Sequence, residues 1–426
     1  MSITGIKGMN DILPGEVETW QFLESTARRV FALHGFSEIR VPVVEKTELF
    51  QRSIGETTDI VEKEMYTFVD KGGTSLTLRP EGTASVMRAF IEHKMHAADP
   101  VAKLYYLGPM FRYERPQKGR YRQFHQIGVE AVGVDDPRID AQILAMLSQF
   151  FDEIDLGEVE LQINSLGCPE CRPAYRRQLV AFLEARLGDL CDDCRRRFTS
   201  NPLRVLDCKA AGCREATLDA PAMLDHLCGG CEQHFAATRA YLDDLGTPYA
   251  VNRRMVRGLD YYTRTTFEML TANLGAQNAV AAGGRYDGLV RELGGPALPG
   301  IGFAMGVERL ALLMGDKDRI SPPPALFIAA LGEAAQRRAF VLMHQLQRQG
   351  LRVEIDYQGR SLKAQMRRAD KLAAPLVLII GENELAQGVG QLRLMADSSQ
   401  REIALEGLHE AVVAELTKLS GAGQGA

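Results

Sequence analysis

After Pro14 the apolar residues Val17, Trp20, Leu23, Ala27, Val30 and Phe31 recur at helical spacing along one face, and Gly35 is placed to stop the helix they predict. The stretch SEIRVPVVE then reads as a strand in which Pro42 removes a ladder donor, which confines it to a sheet edge, a bulge or a subunit boundary. SLTLRPEGTAS, residues 75–85, is a strand running into a helix that carries Val86, Phe90, Ile91 and Met95. Two more strands, near residues 104–111 and 124–129, flank a polar loop. RGLDYYTRTTFEML, residues 257–270, alternates: Tyr262, Arg264, Thr266 and Glu268 share one side, Tyr261, Thr265, Phe267 and Met269 the other. GIGFAMGVERLAL, residues 300–312, is a glycine-rich strand entering an apolar helix.

Past the linker SPPPAL (321–326) the pattern changes to strand (326–330), helix to Gln349, strand (351–355), helix (362–372) and strand (376–380), then a hairpin and a last helix from Leu408. Short joins between alternating elements predict a separate α/β domain at 326–420, leaving 1–320 as the first domain. In the second domain Lys363, Arg367 and Lys371 stand four apart on one helix face, with Arg360 and Arg368 nearby. Such a face is either solvated or a stripe that tracks phosphates.

With 426 residues the chain is long enough for two or three domains with sizeable cores. The formal net charge is -5, so attraction for a polyanion must come from local patches. One such patch is the loop between the two central strands, where Arg112, Arg115, Lys118, Arg120 and Arg122 face a single acid, Glu114. It suits a basic surface hairpin or a phosphate grip, since arginine's fork binds phosphate oxygens in pairs. At the start of the helix after residue 80, Glu81, Gly82 and Thr83 form either a plain helix cap or a small pocket for an ammonium group. Gly283 and Gly284 in AAGGRYDGL would let the backbone approach a ligand closely. Gly300-x-Gly302 is not a dinucleotide fingerprint, because Met305 stands where that motif needs Gly or Ala. The N-terminal residues contain no apolar run, and the longest strongly apolar run, around 376–380, is far too short to span a bilayer. A soluble cytoplasmic protein without membrane contact is expected.

In order along the chain, these stretches resemble the class II aminoacyl-tRNA synthetases. The helix and Pro-bearing strand resemble motif 1, FRYERPQKGRYRQF motif 2 and GIGFAMGVERLAL motif 3, while RGLDYY and AAGGRYDGL resemble the two signatures of histidyl-tRNA synthetases. The resemblance implies an α+β catalytic domain with an antiparallel sheet, a small inserted domain at 168–235 and a C-terminal α/β anticodon-binding domain. It implies ATP-dependent attachment of histidine to tRNA(His) through a histidyl-adenylate, with Mg2+, in a homodimer. Carried onto this sequence, Arg112, Glu114, Arg120, Phe124 and Arg309 would bind ATP, and Arg257, Arg112 and Arg309 would act in catalysis. Glu81, Thr83, Gln126, Glu130, Arg257, Tyr261 and Tyr262 would bind histidine, and Arg115 and Gln117 would meet the tRNA acceptor end. The competing expectation is a non-catalytic paralogue that regulates a histidine-biosynthesis enzyme. Such paralogues usually lack the signature arginine and the anticodon domain.

The cysteines point to something the resemblance does not supply. All eight fall between residues 168 and 231, as Cys168/Cys171, Cys191/Cys194, Cys208/Cys213 and Cys228/Cys231. The first two pairs have the separation of a four-cysteine zinc site, and His226 and His234 are possible substitutes near the last pair. One or two structural Zn2+ ions, or an apolar core with reduced thiols, would each account for the clustering. Four pairs combine in three ways, and the sequence does not choose among them.

Overall fold

The amphipathic stretch after Pro14 forms helix Val17–Leu33, which buries Trp20, Leu23, Ala27, Val30 and Phe31. Beyond it Gly35 takes the left-handed conformation, at φ +81°. The structure is a computed structural model that describes residues 3–55, 58, 60–257, 261–274, 278–315 and 323–422. It divides into two units, Met1–Lys317 and Asp318–Ala426. The middle of the RGLDYY signature (258–260) and the start of the SPPPAL linker (321 and 322) lie outside the described residues.

The Pro-bearing stretch does not form one strand. Pro42 separates β1 (Ser37–Glu38) from β2 (Val44–Lys46), which joins β3 (Tyr66–Val69) and β4 (Ser75–Leu78) in a three-stranded sheet. The main sheet contains β1, β5 (Ala102–Phe111), β6 (Gln123–Val132), β7 (Glu160–Ser165), β8 (Ala250–Val251), β9 (Thr263–Leu270), β10 (Ala279–Arg285) and β11 (Gly300–Gly306). Its order is β1-β5-β6-β11-β10-β9-β7-β8. The six inner strands pair antiparallel, as expected, and the two-residue strands β1 and β8 add parallel edges. β1, freed of its expected continuation by Pro42, is therefore an edge strand.

The pleat divides the sheet's side chains. Ile127, Val129 and Ala131 of β6, Phe267 and Met269 of β9, and Phe303 and Met305 of β11 join one core with helix Val17–Leu33 and helix Pro137–Glu153. The alternate residues Phe124 and Gln126 of β6 face a cleft on the opposite side. Alternation fails early in β9: the strand begins only at Thr263, Arg264 has φ +46°, and the register against β10 shifts between Gly284 and Arg285. Arg264 consequently pairs with Asp135 and Asp287, while Tyr261 and Tyr262 both line the cleft.

Between β7 and β8 runs an inserted set of helices: Arg172–Glu184, Asp192–Arg197, Leu203–Leu206, Ala211–Ala216 and Gly229–Asp244. Its core is modest, with Tyr175, Leu179, Leu183, Leu190, Val205 and Met223 buried beside Cys171, Cys194, Cys213 and Cys231. The last of these helices packs on helix Pro137–Glu153. There Asp140 Oδ1 accepts from Arg285 Nη1 at 2.5 Å, and its other oxygen lies 2.8 Å from His234 Nε2.

In the second unit β12 (Leu326–Ala330), β13 (Val353–Ile355) and β14 (Leu376–Ile380) pair parallel, and β15 (Val389–Leu394) and β16 (Gln400–Ala404) continue antiparallel. Helices Glu333–Arg348, Leu362–Lys371 and Leu408–Ala422 fall where the periodicity predicts them, whereas helix Glu382–Gln387 was not anticipated. Among the described residues no helix is long and apolar enough to cross a membrane.

Candidate functional site

A cleft of about 580 Å³ opens on the side of the main sheet away from the core of the two long helices. It gathers Glu81, Thr83, Arg112, Glu114, Arg120, Phe124, Gln126, Arg257, Tyr261, Tyr262 and Arg309, residues spread over some 230 positions of sequence. Hydrogen bonding aligns their carriers: Phe111 of β5 pairs with Gln123 of β6, and Gly302 of β11 pairs with Glu130 of β6.

One end of the cleft is cationic. Arg112 donates from Nε to Pro80 O at 2.9 Å, and its guanidinium lies 5.3 Å from the Phe124 ring centre. Arg309 donates to Ala279 O at 2.7 Å and Gly119 O at 3.2 Å. Burial lowers the Arg309 pKa, and the neighbouring charges of Arg120 and Arg112 lower it further. Arginine stays charged even so, and three such groups crowded together favour a polyanion between them. Arg120 pairs with Glu114. The rest of the loop points elsewhere: Arg122 stacks 4.2 Å from the Tyr113 ring centre, and Arg115, Gln117 and Lys118 are exposed.

The other end is lined by buried polar groups. Glu81 accepts the amides of Thr83 at 2.7 Å and Ala84 at 2.9 Å, so the helix-cap reading holds, in the form of a carboxylate turned into the helix start. Thr83 donates its hydroxyl to Glu130 Oε1 at 2.7 Å, and the Tyr286 hydroxyl donates to the other Glu130 oxygen. Glu130 therefore sits behind Thr83 and Tyr286 and does not itself line the open cleft. Burial pushes its carboxyl up to about 8 despite both hydroxyls. Burial also raises Glu81, against the pull of its two amides.

Arg257 lines the cleft as well. Its Nη1 donates to Glu268 Oε1 at 2.6 Å and its guanidinium lies 5.1 Å from the Tyr262 ring centre. Burial opposes the charge on Arg257, but Tyr262 and Glu268 outweigh it and raise the pKa.

Tyr286 and Glu268 are site residues that the sequence reading left out, although both stand inside stretches it singled out. Gly283 and Gly284 do not serve as expected. A Cβ at Gly283 would lie 2.2 Å from Gly302 O, and one at Gly284 2.7 Å from Thr265 O, so these glycines admit neighbouring strands. Gly302 has a comparable task, since a Cβ there would lie 2.1 Å from Glu130 Oε2.

The cysteines group by space and not by sequence order. Cys168, Cys171, Cys228 and Cys231 form one quartet, and Cys191, Cys194, Cys208 and Cys213 another. The combination of the first two pairs that their separation suggests does not occur: the first pair joins the last, and the second joins the third. His234 is engaged by Asp140 and His226 lies against Tyr175, so neither substitutes for a cysteine.

Comparison with known proteins adds the following. Residues 8–310 match the family model described as histidyl-tRNA synthetase, and residues 325–415 match one described as an anticodon binding domain. The chain is 68% identical to a histidine–tRNA ligase of Syntrophotalea carbinolica over 97% of its length and 99% of that protein. It is 68% identical to one of Geobacter sulfurreducens over 97% of its length and the whole of that protein. The crystal structure of apo S. aureus histidyl-tRNA synthetase superposes with a TM-score of 0.82 at 38% identity, covering 96% of this chain and all of that one.

Proposed function

The chain belongs to the histidyl-tRNA synthetase family, and on that premise we propose which of its residues carry the reaction. It is a class II aminoacyl-tRNA synthetase: histidine and ATP give histidyl-adenylate and pyrophosphate, and the histidyl group then passes to tRNA(His). The nucleophile of the first step is a carboxylate that is already ionised, so no general base is needed. What the site must supply is alignment and charge stabilisation at phosphorus.

The observation that carries the assignment is the convergence of Arg112, Arg120 and Arg309 at one end of a cleft whose other end presents buried hydrogen-bonding groups. In this reading Arg112 holds the α-phosphate, Arg309 and Arg120 the far phosphates, Glu114 the adenine edge and Phe124 its face. Arg257 neutralises charge that grows as five oxygens crowd the reacting phosphorus. Mg2+ would accompany the phosphates, and the cleft's carboxylates Glu268 and Glu308 are hard oxygen donors of the kind it prefers. Its contribution when bound is neutralisation of phosphate charge.

A neutral imidazole offers one donor and one acceptor. Glu130 accepts from its N–H once Thr83 or Tyr286 yields a position, and the Tyr262 hydroxyl donates to the other nitrogen. Glu81, Thr83, Gln126 and Tyr261 surround the ammonium end. The exposed Arg115 and Gln117 meet the acceptor end of the tRNA, and the second unit takes its anticodon. A cytoplasmic homodimer is part of the same reading, as are structural zinc ions in the insert. Nothing favours the regulatory paralogue, since Arg112, Arg257 and Arg309 all face the cleft.

ATP–pyrophosphate exchange with each of the twenty amino acids tests the reading. Exchange supported by histidine alone is expected, and exchange with another amino acid, or with none, overturns it.

A further inference from the structure

No two of the eight cysteine sulfurs are joined. In each quartet all four lie within 4.8 Å of one another. The separations are 3.6 Å for Cys168–Cys171, 3.8 Å for Cys168–Cys228 and 3.8 Å for Cys191–Cys208. A disulfide would need about 2.05 Å. Four sulfurs each about 2.3 Å from a central zinc stand about 3.8 Å apart along the edges of a tetrahedron.

The surroundings repeat as well. The Cys228 amide donates to Cys171 Sγ at 3.1 Å, and the Cys191 amide donates to Cys213 Sγ at 3.0 Å. Arg197 Nη2 approaches Cys194 Sγ at 3.4 Å. Donors aimed at sulfur are what thiolate ligands gather around a metal. Cys191 and Cys228 each occupy the cap position of a helix, with Cys194 and Cys231 at its third residue. In both quartets two of the cysteines are buried and two partly buried. The apolar core around them is modest for about sixty residues, a size at which a bound metal adds usefully to stability.

The two quartets differ in what they fasten. The root quartet joins the chain leaving β7 to the start of the returning helix, and Arg172, next to Cys171, donates to Tyr262 O. The outer quartet includes Cys208, whose flanking residues Asp207 and Lys209 line the cleft. We infer that the insert carries two structural zinc ions in nested order, Cys168/Cys171/Cys228/Cys231 at its root and Cys191/Cys194/Cys208/Cys213 at its outer end, and that the outer ion holds Asp207 and Lys209 at the rim that the tRNA acceptor end crosses. The second clause rests on the function proposed above. The metal clause does not.

Full-length protein is grown with added zinc, purified without chelator and assayed for metal. Two zinc per chain are expected, with an X-ray absorption shell of four sulfurs at about 2.3 Å. Less than about 0.2 zinc with all eight thiols titratable in the native protein, or iron in place of zinc, overturns the inference. Cys191→Ser with Cys213→Ser should bring the content to one zinc, and Cys168→Ser with Cys228→Ser should remove the root ion. If either double variant keeps two zinc, the pairing is wrong. If these variants fail to fold, zinc release from the wild type by graded mercurial titration supplies the count, in two groups of four thiols. In the outer-site variant, tRNA charging should fall at least tenfold more than histidine-dependent pyrophosphate exchange. An equal fall in both overturns the rim assignment. A protein with two zinc and no histidine-dependent exchange would refute the functional reading and leave the metal sites standing.

Discussion

If Glu130 meets the histidine imidazole as proposed, its carboxyl carries a proton at neutral pH that binding must displace. Glu130 is 1% exposed and its carboxyl is pushed up to about 8, chiefly by burial. At pH 7 about nine-tenths of the sites are therefore protonated, and about half at pH 8. If the imidazole N–H donates to Glu130, the carboxylate is the stronger acceptor and binds in preference to the acid, so loss of the proton is coupled to binding. The sign follows: histidine affinity rises with pH below the carboxyl's own pKa and levels off above it. Between pH 7 and pH 8 the ionised fraction grows about fivefold, which is about 1 kcal/mol of binding free energy. Histidine's own ring, with a pKa near 6.5, adds less than about 1.5-fold over that interval. Calorimetry of histidine binding in buffers of different ionisation enthalpy reads the proton directly, and release of close to one proton at pH 7 is expected. Glu130→Gln keeps an acceptor in the same place and should abolish both the release and the fivefold pH dependence. A wild-type dissociation constant flat from pH 7 to 8, with no buffer-dependent enthalpy, would show that Glu130 keeps its proton or does not meet the ring.

Three more outcomes are expected. Arg257→Ala should leave histidine binding largely intact and cut adenylate formation by two or more orders of magnitude, about 3 kcal/mol, in rapid-quench assays. Arg257→Lys should recover little of it, because the fork that reaches Glu268 is lost; exchange within tenfold of wild type in the Ala variant would refute the role. Gly302→Ala forces a methyl group to 2.1 Å from the Glu130 carboxyl, so it should weaken histidine at least tenfold in equilibrium binding while the ATP requirement changes little. A chain ending at Gly315 should retain measurable pyrophosphate exchange and lose most tRNA charging, with undiminished charging as the contrary result.

The parts of this molecule legible in its sequence are those in which chemistry and periodicity coincide. The hairpin of β5 and β6 combines strand alternation with a dense loop of arginines, and β11 runs from a glycine pattern straight into an amphipathic helix. Helix Glu382–Gln387 is short and polar and so leaves no periodic trace. Tyr286 escaped because the bulge beside it breaks the alternation from which a facing direction is read. Glu130 stands in a stretch the sequence marks, but its place behind Thr83 and Tyr286 depends on three segments meeting. Asp140, within an otherwise apolar helix face, gives no sign that it holds Arg285 and His234. The nested cysteine pairing likewise depends on the insert doubling back on itself, which spacing alone does not encode.

β7 and β9 are neighbours in the sheet, yet the whole insert is threaded between them. Pairing them closes a loop of roughly a hundred residues, and because closure entropy grows only with the logarithm of length, doubling such a loop costs about 0.6 kcal/mol. A metal at the insert's root would shorten the effective loop to roughly forty residues, a saving of about 0.8 kcal/mol and about a fourfold gain in closing rate. Both figures are small beside what a packed central sheet contributes. The sheet is therefore almost indifferent to how much chain is spliced into this connection. An ancestral loop at this point could lengthen residue by residue, each step nearly neutral for folding, until it was long enough to acquire a core of its own.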